Sequence, residues 1–325
     1  MMIKDIKPFS GEHCEATATG TLLKYLNINL SEPMIFGLGE SLSFFFWHMK
    51  SIDTPLFLGR NKPLQLTEKL SERLGLILKV SETSSITKAW QIIKANIDSN
   101  IPTGLKLDMY YLDYFNVQEH FPGHFVAIYG YDDKYAYLID WKGFGSKVKT
   151  SLKSLEMARN AKGPMSSKNL SYTISNPTND YNIEKAIITA TRNNAKEYLN
   201  PPIQNLGYKG IIKAGKELKK CLSDSNCKWD FISIADFIEE AGTGGAIFRN
   251  FYRDYLKESY EIVQKEQFHK SYIRFVEIAN LWTEFSSTLK KIGQNREFAL
   301  ISLSSQLLFD IAEKEKQAME ILETI

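Results

Sequence analysis

Cys14 lies in the run Gly11-Glu12-His13-Cys14-Glu15-Ala16-Thr17-Ala18, immediately ahead of an apparent helix, in a chain of 325 residues with three cysteines. Far downstream comes His124, in Gly123-His124-Phe125-Val126-Ala127-Ile128-Tyr129-Gly130-Tyr131-Asp132-Asp133, followed by an acid, Asp140. A thiol at a helix N-terminus with a distant His and Asp is the pattern of a cysteine nucleophile. The attacking species is the thiolate, and both a helix N-terminus and an adjacent imidazolium favour that negative charge. The chemistry expected is acyl transfer through a thioester on Cys14.

The turn Asp132-Asp133-Lys134 predicts a hairpin whose strands start at His124 and end at Asp140, which makes those two ends cross-strand neighbours. Asp140 then orients one imidazole nitrogen and the other faces Cys14. The roles that follow are Cys14 as nucleophile, His124 as general base and acid, and Asp140 as orienter. His13 and His120 are rival imidazoles that begin no alternating strand, and Asp108, Asp132 and Asp133 are rival acids. Buried structural roles remain the competing reading for each member. An oxyanion needs donors, and no Gln precedes Cys14; its own N–H is available, alone or with His13 or Ser10.

Helical spacing of Leu22, Leu23 and Leu26 predicts a helix from Glu15 to Tyr25 behind the nucleophile. Further helices are predicted over 39–49, 64–74 and, capped by Ser84-Ser85, 86–99. Leu56–Arg60, Ile77–Val80, Thr103–Met109, Phe125–Tyr131 and Tyr135–Asp140 read as strands. A nucleophile helix followed by an antiparallel, His-bearing sheet is the papain-like α+β plan. Asn176-Pro177-Thr178-Asn179-Asp180 reads as a boundary, and helices follow over 183–199, 211–221, 247–265, 272–292 and 297–323. The expected organisation is a papain-like catalytic domain over 1–177 and an all-α domain over 178–325.

Composition is that of a soluble globular protein, with 43% hydrophobic and 24% charged residues. A net charge of +2, without sustained basic stretches between aromatics, argues against nucleic acid. No apolar run reaches membrane length, no secretory signal is evident, and the odd cysteine count fits a reducing compartment, so a cytoplasmic protein is expected. Cys221 and Cys227 read as ordinary cysteines flanking a polar loop, since zinc would want closer spacing and more ligands. No metal site is therefore expected.

Several motifs together resemble a known family. Gly11-Glu12-His13-Cys14, Ser31-Glu32-Pro33-Met34-Ile35-Phe36-Gly37-Leu38-Gly39 and Gly123-His124-Phe125-Val126 with Gly130-Tyr131-Asp132 resemble the N-terminal domain of butirosin biosynthesis protein H. Glu240-Ala241-Gly242-Thr243-Gly244-Gly245-Ala246-Ile247-Phe248-Arg249 resembles the uncharacterised helical domain that usually follows it. The resemblance implies a papain-like fold related to bacteriocin-processing peptidases, with Cys14, His124 and Asp140 at the catalytic positions. It also implies transfer of an aminoacyl or peptidyl group from a carrier-protein thioester to a small amine acceptor. An acyl carrier protein would then be the partner and its phosphopantetheine the donor arm, with no cofactor held by this chain itself. A peptidase or amidase with the same triad, or a non-catalytic binding protein, are the alternatives.

Other residues invite binding roles, each beside a packing reading. Gly242, Gly244 and Gly245 precede a helix whose free N–H groups, with Arg249, could hold the phosphate of the donor arm; a tight turn with Arg249 in a structural ion pair is the alternative. Glu32 and Glu40 could meet a cationic substrate or simply cap and face solvent. Tyr110, with Tyr111 and Tyr114, could line an acceptor pocket or pack as amphipathic rings. Apolar C-terminal helices could pack internally or pair two copies as a homo-oligomer.

Overall fold

The computed structural model describes the chain except residues 50–51, 117–118, 145, 164–165, 179 and 223–226. Asn179 of the expected boundary and residues 223–226 of the loop between Cys221 and Cys227 thus lie outside the described residues. Two compact units emerge, one of residues 1–35 and 66–181, the other of 36–65 and 182–325. This differs from a single cut at 177, because the segment 36–65 groups with the helical unit.

In the first unit, helix α1 (Cys14–Tyr25) carries the cysteine at its first position. His13 caps it, its Nδ1 accepting from Ala16 N at 3.3 Å. Residues 15–23 are all buried, so α1 is a central helix rather than a surface one. The boundary between the units falls within α2 (Glu32–Leu38) and at the start of α3 (Gln65–Arg73). Ser85 caps α4 (Ile86–Asp98), which buries Ala89, Ile93 and Ile97, one stripe at helical spacing.

The strands of this unit form one antiparallel sheet in the order β3-β8-β4-β5-β6-β7. They are β3 (Ile77–Ser81), β4 (Thr103–Leu107), β5 (His124–Tyr131), β6 (Tyr135–Ile139), β7 (Lys147–Ser151) and β8 (Ser171–Ser175), with α5 (Leu152–Asn160) after β7. β5 is central and buried from His124 to Gly130, which explains its unbroken apolar run. The β5–β6 turn is built by Asp132, whose Oδ1 accepts from Lys134 N and Tyr135 N. The helix bearing Cys14 packed on an antiparallel sheet bearing His124 is the α+β arrangement expected.

In the second unit, β1 (Leu42–Trp47) pairs antiparallel with β2 (Leu56–Arg60). The helix expected over 39–49 is therefore a strand: Leu42, Phe44 and Phe46 alternate inward, and the rings of Phe44, Phe46 and Phe57 meet Trp229, Trp282 and Phe285. Six helices complete the unit: α6 (Ile183–Leu199), α7 (Gly207–Lys220), α8 (Phe231–Glu239), α9 (Arg249–Val263), α10 (Glu266–Asn295) and α11 (Leu300–Glu323). Cys221 and Cys227 are joined by a disulfide, with Cα atoms 5.2 Å apart. That corrects the reading of two ordinary thiols: the cap of α7 and the chain beyond the loop return to bonding distance, leaving Cys14 as the free cysteine. Among the described residues, no helix is long and apolar enough to cross a membrane and no group of three or more His, Cys, Asp or Glu could hold a metal ion.

Candidate active site

α1 and the β5–β6 hairpin bring Cys14, His124 and Asp140 together. His124 Nε2 lies 3.0 and 2.9 Å from the two carboxylate oxygens of Asp140, and the imidazole also hydrogen bonds with Cys14. Nε2 being engaged, Nδ1 is the nitrogen left for the thiol. The two residues are diagonal rather than direct cross-strand neighbours. Ala127 faces Ile139 and a bulge follows Ile128, so by continuation of that register Asp140 lies opposite Val126 and reaches across to His124.

Burial separates the three members by role. Asp140 is wholly buried and His124 is 4% exposed, whereas Cys14 is half-buried and open to a reactant. Burial by itself would push the His124 imidazole down. The charges of Asp140 and Cys14, with their hydrogen bonds, outweigh it and hold the imidazole well above its usual value. The imidazolium is thus stabilised by the groups it would serve.

Asp140 has further donors that the sequence did not announce. Tyr114 Oη donates to its Oδ2 at 2.9 Å and Trp141 N to its Oδ1 at 2.7 Å. Phe115 meets the His124 ring edge-on at 5.2 Å and packs on Phe144, so aromatics wall the dyad. Tyr114, a candidate for the acceptor pocket, spends its hydroxyl on Asp140, and burial raises its phenol well above the ordinary range. The signal available was only its place in an aromatic run.

The remaining expected site residues separate into distinct groups. His13 is buried and spends Nδ1 on the α1 cap, while Glu32 accepts from the amides of Glu12 and His13 at 2.8–3.0 Å. Cys14 N–H stands at the first position of α1, among the amides that find no acceptor within their own helix, a donor suited to an oxyanion. Tyr110 is 41% exposed and stacks on His120 at 4.0 Å, and His120 is held by Asp108 at 2.7 Å. The rival imidazole and rival acid therefore pair with one another. Glu40 accepts from Asn193 Nδ2 within the second unit.

Gly244, Gly245 and Arg249 do not form the phosphate cradle. Arg249 is wholly buried, its Nε and Nη2 gripping Glu315 at 2.8 and 2.9 Å and its Nη1 donating to Gly59 O and Ile247 O. Gly244 and Gly245 open a left-handed turn that continues through Ala246, Ile247 and Phe248, with φ from 46° to 81°. Ala246, Ile247 and Phe248 each bear a cost of roughly 1–2 kcal/mol in such a run, which the two glycines avoid. A Cβ on Gly244 would stand 2.5 Å from the Phe251 ring. Packing uses the Arg249 guanidinium and the amides of Gly245 and Ala246, which accords with the structural reading of this motif.

Residues 13–141 match the family described as butirosin biosynthesis protein H, N-terminal, and residues 153–322 match one described as a domain of unknown function (DUF4872). The first match spans Cys14, His124 and Asp140; the second covers most of the helical unit. No curated protein matches the chain.

Proposed function

This chain belongs to the family that joins a butirosin biosynthesis protein H N-terminal domain, consistent with a papain-like fold, to that domain of unknown function, and on that premise we propose that it is a cysteine-dependent acyltransferase of secondary-metabolite biosynthesis. It takes an aminoacyl or peptidyl group from a carrier-protein thioester and delivers it to an amine. The observation that carries this reading is the imidazole of His124, held by buried Asp140 on one side and hydrogen bonded with the free Cys14 on the other.

Cys14 Sγ attacks the thioester carbonyl as the thiolate, and the charge passing to the carbonyl oxygen meets Cys14 N–H. The carbon–sulfur bond to the donor arm breaks, and the departing pantetheine thiolate takes a proton from the His124 imidazolium. An acyl group now rests on Cys14, an exchange of one thioester for another and so nearly isoenergetic. An amine then attacks; His124 accepts the proton it sheds, the new amide forms, and the Cys14 thiolate is released. Asp140 keeps one imidazole tautomer and stabilises the imidazolium in both halves.

Intact-protein mass spectrometry after exposure to a panel of acyl thioesters tests the proposal. A covalent acyl adduct is expected, absent in Cys14→Ala and slowed in His124→Ala, with adducts discharged by added amines. Discharge by water alone at the same rate would make the protein a hydrolase. An unmodified Cys14 against both a broad donor panel and a general thiol reagent would leave a binding protein.

A further inference from the structure

Glu32 was open to a role in binding a cationic substrate, yet its carboxylate is turned onto the backbone just before the nucleophile. Oε1 and Oε2 accept from Glu12 N at 3.0 and 2.9 Å, and Oε1 also accepts from His13 N at 2.8 Å. Two consecutive amides thus converge on one side-chain group, with Oε1 accepting from both. A side-chain amide would turn N–H toward N–H there.

The turn is shaped around that carboxylate. A Cβ on Gly11 would stand 2.6 Å from Thr17 Oγ1 and 2.8 Å from Glu32 Oε1, so the space a side chain would need is occupied. The opposite side of the same turn is tied to the segment just past Asp140. Lys142 N donates to Gly11 O at 2.9 Å, and Lys142 Nζ meets Glu12 Oε1 at 2.6 Å. Residues 11–13 are thus held between Glu32 at the start of α2 and the chain that carries the triad's acid.

We propose that Glu32 is a positioning residue for the nucleophile: it clamps the amides of Glu12 and His13 and thereby fixes the turn that aims Cys14 Sγ at His124 and Cys14 N–H at the reacting carbonyl. The proposal rests on the catalytic reading of Cys14 and His124. It differs from an acidic residue that merely favours the N-terminus of its own helix α2, which would stabilise that helix without touching Cys14 reactivity. Amides spent on a fixed carboxylate cannot swing into the path of the substrate.

Two measurements on the full-length protein test it. Amide hydrogen exchange on the wild type should show Glu12 and His13 N–H protected, with Cys14 N–H exchanging faster than either; equal, rapid exchange of all three overturns the clamp. Alkylation of Cys14 by iodoacetamide, followed against pH, should slow about tenfold or more at pH 7 in Glu32→Gln, with Glu32→Asp between it and wild type. Glu184→Gln, which removes an acid from the first turn of α6, should leave the rate unchanged. A wild-type alkylation rate and pH profile in folded Glu32→Gln overturns the proposal. A wild-type profile in His124→Ala instead removes the catalytic reading beneath it, and the two failures are told apart by which variant produces them.

Discussion

Each unit buries a charged pair backed by a tyrosine, and the two pairs end in different places. In the helical unit Glu315 accepts from Arg249 twice, from Trp282 Nε1 and from Tyr198 Oη, while Arg249 also donates to two backbone carbonyls and lies 5.2 Å from the Trp282 ring centroid. Both charged side chains are wholly enclosed. In the first unit Asp140 accepts from Tyr114, Trp141 N and His124, but the chain of hydrogen bonds runs outward and stops at a half-buried thiol. A buried charge must be paired in either case. What separates architecture from chemistry is whether the last group in the chain is spent on the protein or left for a reactant.

The largest effect that sharpens this contrast is expected at Asp140. Asp140→Asn keeps the shape but not the charge that stabilises the imidazolium, so acyl-enzyme formation should fall by about 10³–10⁴-fold, measured as the rate of adduct appearance. Arg249→Met should do the reverse, leaving Cys14 chemistry intact per folded molecule but costing about 3–5 kcal/mol in urea unfolding, because Glu315 is left buried and uncompensated. If Arg249→Met instead lowered the acylation rate of folded protein, the helical pair would have to be counted as part of the site.

The pH dependence of stability gives a smaller effect with a definite sign. Burial raises the Glu32 carboxyl from 4.5 to about 7, against the lowering pull of the Glu12 and His13 amides; the charge of Glu12 adds to the rise and Lys142 opposes it. Between those values the folded chain binds more protons at this site than the unfolded chain, so its contribution to stability falls as pH rises. Wild type relative to Glu32→Gln should therefore look better at pH 5 than at pH 8. The difference is on the order of 1–2 kcal/mol, discounted for the solvent that reaches a partly exposed carboxyl. Thermal unfolding of both proteins at the two pH values reads it directly.

Elements with a local signal were legible in the sequence. The Ser84-Ser85 cap marked α4, and Asp132-Asp133-Lys134 marked the β5–β6 turn, which in turn put His124 and Asp140 at one end of a hairpin. The bulge after Ile128 was not legible, so their diagonal relation was not. β1 was misread because Phe44-Phe45-Phe46-Trp47 is apolar at either period; only pairing with β2 decides it. β7, β8, α2, α5 and α8 carried signals too short to stand without their tertiary partners. What Glu32, Arg249 and Cys221 do depends on groups brought near by the fold, and no spacing rule reaches those. That Cys14, His124 and Asp140 come together could be read from residue types, whereas the carboxylate behind the Cys14 turn could not.

The two tyrosines allow the finest test of the contrast, because they make the same bond in different settings. Tyr114 donates to Asp140 and Tyr198 to Glu315, each beside a carboxylate buried completely. Replacing either by Phe removes one donor and leaves others in place, Trp141 N and His124 for Asp140, Arg249 and Trp282 for Glu315. Each change should therefore cost about 1–2 kcal/mol of stability in urea, well short of loss of the fold. Only Tyr114→Phe should also alter acylation, by roughly fivefold, since about 1 kcal/mol of orientation lost at Asp140 is transmitted through His124 to the reacting sulfur. Equal stability losses with unequal kinetics would place the boundary between the two networks at the thiol. Equal kinetics would mean that Asp140 is held well enough without its phenol, and that the aromatic wall of Phe115 and Phe144 orients the imidazole instead.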